Sequence, residues 1–125
     1  MNQVVEVFIP GRLTNILNGS WGHWYKHARI ARDWRERTAQ HLFVALVKPV
    51  TLAFLRAPKR VTFTLHVGRL WDDDALPAAV KPLRDAVASA CCPGGDGPRS
   101  GNEFVYRQVQ AKTRGVAVRV EVRDA

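Results

Sequence analysis

The chain has 125 residues, 46% of them hydrophobic, and a formal charge of +8. That length fits one domain, residues 1–125, and the apolar content supplies a core and excludes a disordered or low-complexity chain. The excess charge is confined: residues 1–71 hold eleven Lys/Arg against three acids, whereas residues 72–125 hold eight of each.

A positive half beside an acidic half suits a protein that grips a polyanion and cuts it with a metal; a basic protein from an Arg-rich proteome is the competing reading. Cys91 and Cys92 are adjacent and lack the spacing of a zinc site, so free thiols and no disulfide-linked partner are expected. The opening MNQVVEVFIPG has no basic segment followed by a long apolar run, and no stretch is long enough to span a bilayer. The expectation is a cytoplasmic protein with no membrane partner.

Val4 to Ile9 reads as a strand stopped by Pro10-Gly11, and residues 12–22 read as a loop built on Asn15, Asn18, Gly19 and Ser20. The spacing predicts a helix over 23–47, with Trp24, Ala28, Ala31, Thr38, Leu42 and Ala45 on one stripe and Pro49 as its stop. Lys26, Arg29, Arg32 and Arg37 lie off the stripe, while Arg35 falls inside it and must snorkel, pair with an acid or face a ligand. Residues 50–57 are apolar but too short to type.

Arg60 to Val67 alternates cleanly, with Val61, Phe63, Leu65 and Val67 on one side, as a half-buried strand does. After GRLWDDD comes a helix over about 75–91, kinked or late-starting because of Pro82, and then a glycine-rich loop at 93–98. Glu103 to Lys112 and Val116 to Arg123 read as two strands joined as a hairpin through Thr113-Arg114-Gly115. The order β-α-β-α-β-β predicts an α+β domain, a small mixed sheet with two main helices.

Asp72, Asp73 and Asp74 are consecutive, and like charges this close must be solvated, paired or bound to a cation. In extended chain, residues two apart point the same way, so Asp72 and Asp74 can share one Mg²⁺ while Asp73 points elsewhere. Mg²⁺ takes hard oxygen ligands and usually binds one or two carboxylates plus a phosphate. Asp96, the acid of the glycine-rich loop, is the candidate third carboxylate. The alternatives are that Asp74 caps the helix and Asp96 is a turn residue. Lys81, two helical turns after Asp74, can meet a phosphate or can form an i,i+4 pair with Asp85.

The segment DDDALPAAVKPLRDA (72–86), followed by GGDG (94–97) and Val105-Tyr106-Arg107, resembles the signature of the RusA family of Holliday-junction resolvases. The stretch Pro10 to Asn18 and the aromatic, basic helix after it are similar to that family's opening. The resemblance implies a homodimer that cuts branched DNA such as four-way junctions, often in a phage or prophage setting. It implies Asp72, Asp74 and Asp96 as metal-binding catalytic residues, Lys81 as a catalytic lysine, and Mg²⁺ (or Mn²⁺ in its place) as cofactor. This chain departs from the family pattern at Ala75, where an Asn is usual, in a Lys81 set about one turn further along the helix, and in a single acid at the loop.

Lys26, Arg29, Arg32, Arg35, Arg37 and Arg69 are the expected DNA contacts, made to the backbone and weakened by salt. Trp21, Trp24, Tyr25 and Trp34 are interleaved with the helical cations and are core candidates before they are base-stacking ones. Trp71 is a packing candidate, and His23, His27, His41 and His66 have no ligand spacing. The competing functions are a DNA-binding protein that kept the fold without turnover, which Ala75 favours, and an RNA-directed module, which charge alone favours.

Overall fold

The computed structural model describes residues 3–13, 24–47 and 50–123. The expected turn formers of the 12–22 loop from Asn15 on, together with Trp21 and His23, lie outside them, as do the side chains of Trp24, Tyr25 and Lys26. The chain is α+β. β1 (Val4–Pro10) is followed by α1 (Trp24–Leu46), a short α2 (Leu52–Arg56), β2 (Lys59–Val67), α3 (Ala75–Cys91), β3 (Glu103–Gln110) and β4 (Gly115–Val122).

The untyped apolar segment is α2. Thr51 caps it by accepting the Phe54 N–H at 3.1 Å, and Phe54 is buried. No described helix is long and apolar enough to cross a membrane, and both cysteines are free.

The strands form one mixed sheet in the order β1-β4-β2-β3. β2 is the centre because its alternation is the cleanest: Val61, Phe63 and Leu65 are fully buried beneath the helices. β2 pairs parallel to β3 and antiparallel to β4, and β4 also pairs antiparallel to β1.

The expected hairpin between the last two strands is therefore not formed. β3 and β4 lie on opposite sides of β2, and residues 111–114 cross over its end. The Ala111 N–H donates to Val67 O at 2.8 Å, and the Arg114 guanidinium donates to the carbonyls of Ala111 and Lys112. Turn residues alone do not distinguish a hairpin from this crossing. What selects the crossing is the apolar inner face of β2, which is buried best with a strand on each side.

α1 packs on α3 and β1. Its buried stripe is Trp34, Thr38 and Leu42, with Ala31 and Ala45 half-buried, while Ala28 and Arg35 are exposed. Ala31, Thr38, Leu42 and Ala45 thus lie on the buried side as expected, whereas Ala28 is exposed and Trp34 joins the stripe, because burying the large Trp34 ring removes far more apolar surface than burying Ala28.

α3 matches its expected bounds. Leu76, Val80, Leu83 and Val87, at helical spacing, are buried against the sheet. Pro82 lies inside the helix and lacks an N–H, so the Ala78 carbonyl loses its intrahelical donor.

Candidate nucleic-acid and metal site

The strand pairing brings the C-terminal ends of β1, β2 and β3 and the start of β4 to one end of the sheet. Gly11–Leu13, the 68–74 loop and the 111–114 crossing all leave from that end. The 68–74 loop is fixed by Gln108 on β3. Its Oε1 accepts the Trp71 N–H at 2.8 Å, and its Nε2 donates to Trp71 O at 2.7 Å and to Asp73 Oδ1 at 3.2 Å. One amide thus holds the Trp71 peptide and turns the Asp73 carboxylate back toward the sheet. Trp71 is half-buried against the core, as expected of a packing residue.

Asp72 and Asp74 are exposed. The backbone N–H groups of Ala75 and Leu76 donate to the carbonyls of Asp72 and Asp73, so the first turn of α3 begins among the acids. Asp74 occupies the N-cap position, but its side chain makes no capping bond. The helix-cap alternative for this carboxylate is therefore not realised.

A depression of about 480 Å³ reaches Trp71, the residue before the acids, and is lined by Arg12, Leu13, His66, Val67, Gly68, Arg69, Trp71 and Arg114. Arg114 reaches it by lying across Gly68, where a Cβ would come within 2.1 Å of its Nη2. Arg12 also lines a neighbouring cleft with Arg29, Asp33 and Arg37, so the positive surface continues onto α1.

Seven ion pairs form among the described residues, and none includes Asp72, Asp73, Asp74, Arg12, Arg69 or Arg114. Three acids of the 68–74 loop and three arginines at the same end of the sheet thus make no ion pair among the described residues.

Other expected site residues are placed elsewhere. Asp96 is not brought to Asp72 and Asp74 within the chain. It follows the far end of the 17-residue α3 and pairs with Arg84, Nε to Oδ2 at 3.2 Å. Arg84 lies ten residues beyond Asp74, an axial rise of about 15 Å. Arg84 also donates to the Tyr106 hydroxyl at 2.8 Å. Burial works against the Arg84 charge, but the Tyr106 hydroxyl and the Asp96 and Asp85 carboxylates outweigh it and raise its pKa.

Lys81 pairs with Asp85 at 3.2 Å, the i,i+4 alternative. Lys81 and Arg35 line an apolar gap between α1 and α3 with Trp34, Pro82 and His27. Arg37 is engaged by the Pro10 carbonyl, the Trp34 ring at 4.6 Å and Asp33 at 3.7 Å. Arg29 and Arg32 are exposed on the outer face of α1.

Among the described residues, no three His, Cys, Asp or Glu side chains gather closely enough to hold a metal ion together. Asp72 and Asp74 remain as two exposed hard-oxygen donors, a number that suits Mg²⁺ completed by water and a phosphate oxygen. Sequence reasoning missed Arg12, Arg114 and Gln108. Their signal is position towards the strand ends, which becomes visible only once the 111–114 connection is known to cross the end of β2. No protein-family model and no curated protein matches the chain.

Proposed function

We propose that the chain is a Mg²⁺-dependent endonuclease of the RusA kind that cleaves branched DNA such as four-way junctions, acting as a homodimer. The observation that carries this reading is that the exposed acids of the 68–74 loop and the arginines Arg12, Arg69 and Arg114 belong to the same end of the sheet, and none of them is in an ion pair among the described residues. Leaving both signs uncompensated is unfavourable in the isolated protein and becomes favourable when a polyanion and a cation arrive together.

Asp72 and Asp74 would hold Mg²⁺, or Mn²⁺ in its place. The bound ion supplies charge neutralisation and water activation for phosphodiester hydrolysis. Arg12, Arg69 and Arg114 grip the strand's phosphates, and Arg29 and Arg32 extend the contact along α1. Gln108 keeps the acid loop in register by holding both sides of the Trp71 peptide. Lys81 reaches a phosphate only by giving up Asp85, so Arg69 is the nearer cation for that role.

A second reading, a junction-binding protein without turnover, is favoured by the diversion of Asp96 to Arg84 and by Ala75. The two separate on a synthetic four-way junction and a linear duplex, each with Mg²⁺ or with chelator. Junction cleavage that requires the metal supports the nuclease. Asp74→Asn is expected to abolish cutting while junction binding persists. Tight binding without cleavage under any divalent ion supports the second reading, and cutting by Asp74→Asn at the native rate removes the site assignment.

A further inference from the structure

α1 packs on α3, but a gap of about 340 Å³ remains where Ala28 and Ala31 of one helix face the space beside Ala78 and Ala79 of the other. Short side chains on both helices leave room that larger ones would close. The remaining walls are apolar: Leu13, Ile30, Trp34 and Pro82. Pockets that hold small molecules begin at about 300 Å³, so the gap suits one planar ring.

Three polar groups border this gap without a partner. Nδ1 of His27 is buried and makes no hydrogen bond among the described residues, which is unfavourable for a buried ring nitrogen. Pro82 deprives the Ala78 carbonyl of its helical donor. Arg35, which the sequence sets inside the apolar stripe of α1, is exposed and forms no ion pair among the described residues. Lys81 stands at the same gap but is tied to Asp85 at 3.2 Å.

The surface around the gap is positive. The gap shares Leu13 with the depression of Arg12, Arg69 and Arg114, and it shares Ile30 and Trp34 with the cleft of Arg12, Arg29 and Arg37. Ile30 is 39% exposed, so the wall on the side of that cleft reaches solvent.

We propose that this gap receives a single unpaired nucleobase from a DNA strand lying on those two basic surfaces. The inference rests on the nuclease reading for the presence of DNA, and it adds how a branched substrate is told from a linear one. A nucleobase is flat and apolar on its faces, which fits the walls of Ile30, Trp34 and Pro82. Its edge carries both donors and acceptors, so it can satisfy His27 Nδ1 in either protonation form and can donate to the Ala78 carbonyl. Arg35 then meets the phosphate of the same nucleotide.

Selectivity follows from unstacking. Turning a base out of a paired duplex costs its pairing and stacking, and that cost is smallest for a base already unpaired. Nucleotides at a branch point or a bulge meet this condition, and those of a linear duplex do not. A free aromatic anion shares the chemistry, but basic surfaces adjoining the gap on two sides favour a strand with phosphates on either side of the base.

The test uses the full chain with chelator, so that no strand is cut, and measures affinity by fluorescence anisotropy for three linear duplexes. One is fully paired, one has a single bulged adenine, and one has the same bulge without its base. The adenine bulge should bind about tenfold more tightly than the abasic bulge, the gain expected of one base held on apolar side chains. Ala31→Phe, which fills the gap, should bring the two bulges to equal affinity. Equal affinity of the native chain for both bulges, or the native difference retained in Ala31→Phe, overturns the proposal. Should Ala31→Phe not fold, the two bulges on the native chain decide alone. Binding of free deoxyadenosine monophosphate with no base-dependent gain in DNA gives the gap to a free nucleotide and also overturns it. Metal-dependent junction cleavage alongside equal bulge affinities leaves the nuclease reading standing without the base pocket, whereas failure to bind any of the three DNAs removes both.

Discussion

Gly68 has no side chain because Arg114 lies directly on its α-carbon. Gly68→Ala is therefore expected to push the guanidinium out of the basic depression, weakening DNA binding and lowering its salt dependence, as read from affinities across a salt series. Gly115 meets a different constraint: a Cβ there would come within 2.3 Å of the Phe8 ring. Gly115→Ala should cost about 1–3 kcal/mol in chemical denaturation, because the ring or the strand must shift.

Neither glycine's reason is readable from the chain alone, since each depends on a partner far away in sequence. The acid triplet was legible, because three adjacent carboxylates are conspicuous anywhere. Alternation in extended chain, from which Asp72 and Asp74 were expected to point the same way, does not apply here: Asp73 and Asp74 lie in a turn, Asp74 has α-region dihedrals, and Asp73 is held by Gln108. The expectation that Asp96 would join them had no such basis, because loop composition carries no distance information. The same glycine-rich loop places Asp96 against Arg84.

At the scale of elements, α3 and β2 were readable because their periodicities are strong, and α2 was not because five residues give no period. Pro82 stands inside α3 with the Ala78 carbonyl left without its helical donor. Pro82→Ala restores that bond and should raise stability by about 1–3 kcal/mol in denaturant unfolding, with some of the gain offset by packing lost against α1.

The pairing of β2 with β3 also has a pH signature. The Arg60 guanidinium, hydrogen-bonded to Glu103 at 3.0 Å, holds that carboxyl below the usual carboxylate range, and Arg123 adds to the effect. A carboxyl with a lower folded than unfolded pKa contributes fully above the unfolded value and loses its contribution as pH falls through the folded one. Unfolding measured from neutral into acid should therefore be less steeply pH-dependent in Glu103→Gln than in the native chain.

Across the whole molecule, charge asymmetry was the most informative sequence property, yet its meaning changed with the topology. Much of the basic helix is committed to structure: Arg37 holds Pro10 and Trp34, and Arg35 borders the gap between the helices. Arg12, Arg69 and Arg114, none of them in an ion pair among the described residues, line one depression at the strand ends, where the 111–114 connection crosses the end of β2.

Divalent-ion binding by the full chain in the presence of junction DNA, followed by Mn²⁺ relaxation titration, tests this arrangement most directly. The native protein should bind Mn²⁺ saturably. The Asp72→Asn/Asp74→Asn pair should lose that binding while still holding the junction, and Asp96→Asn should leave it unchanged. Equal Mn²⁺ binding by the native chain and the double variant, or no saturable binding by either, would contradict a metal site built on these two carboxylates.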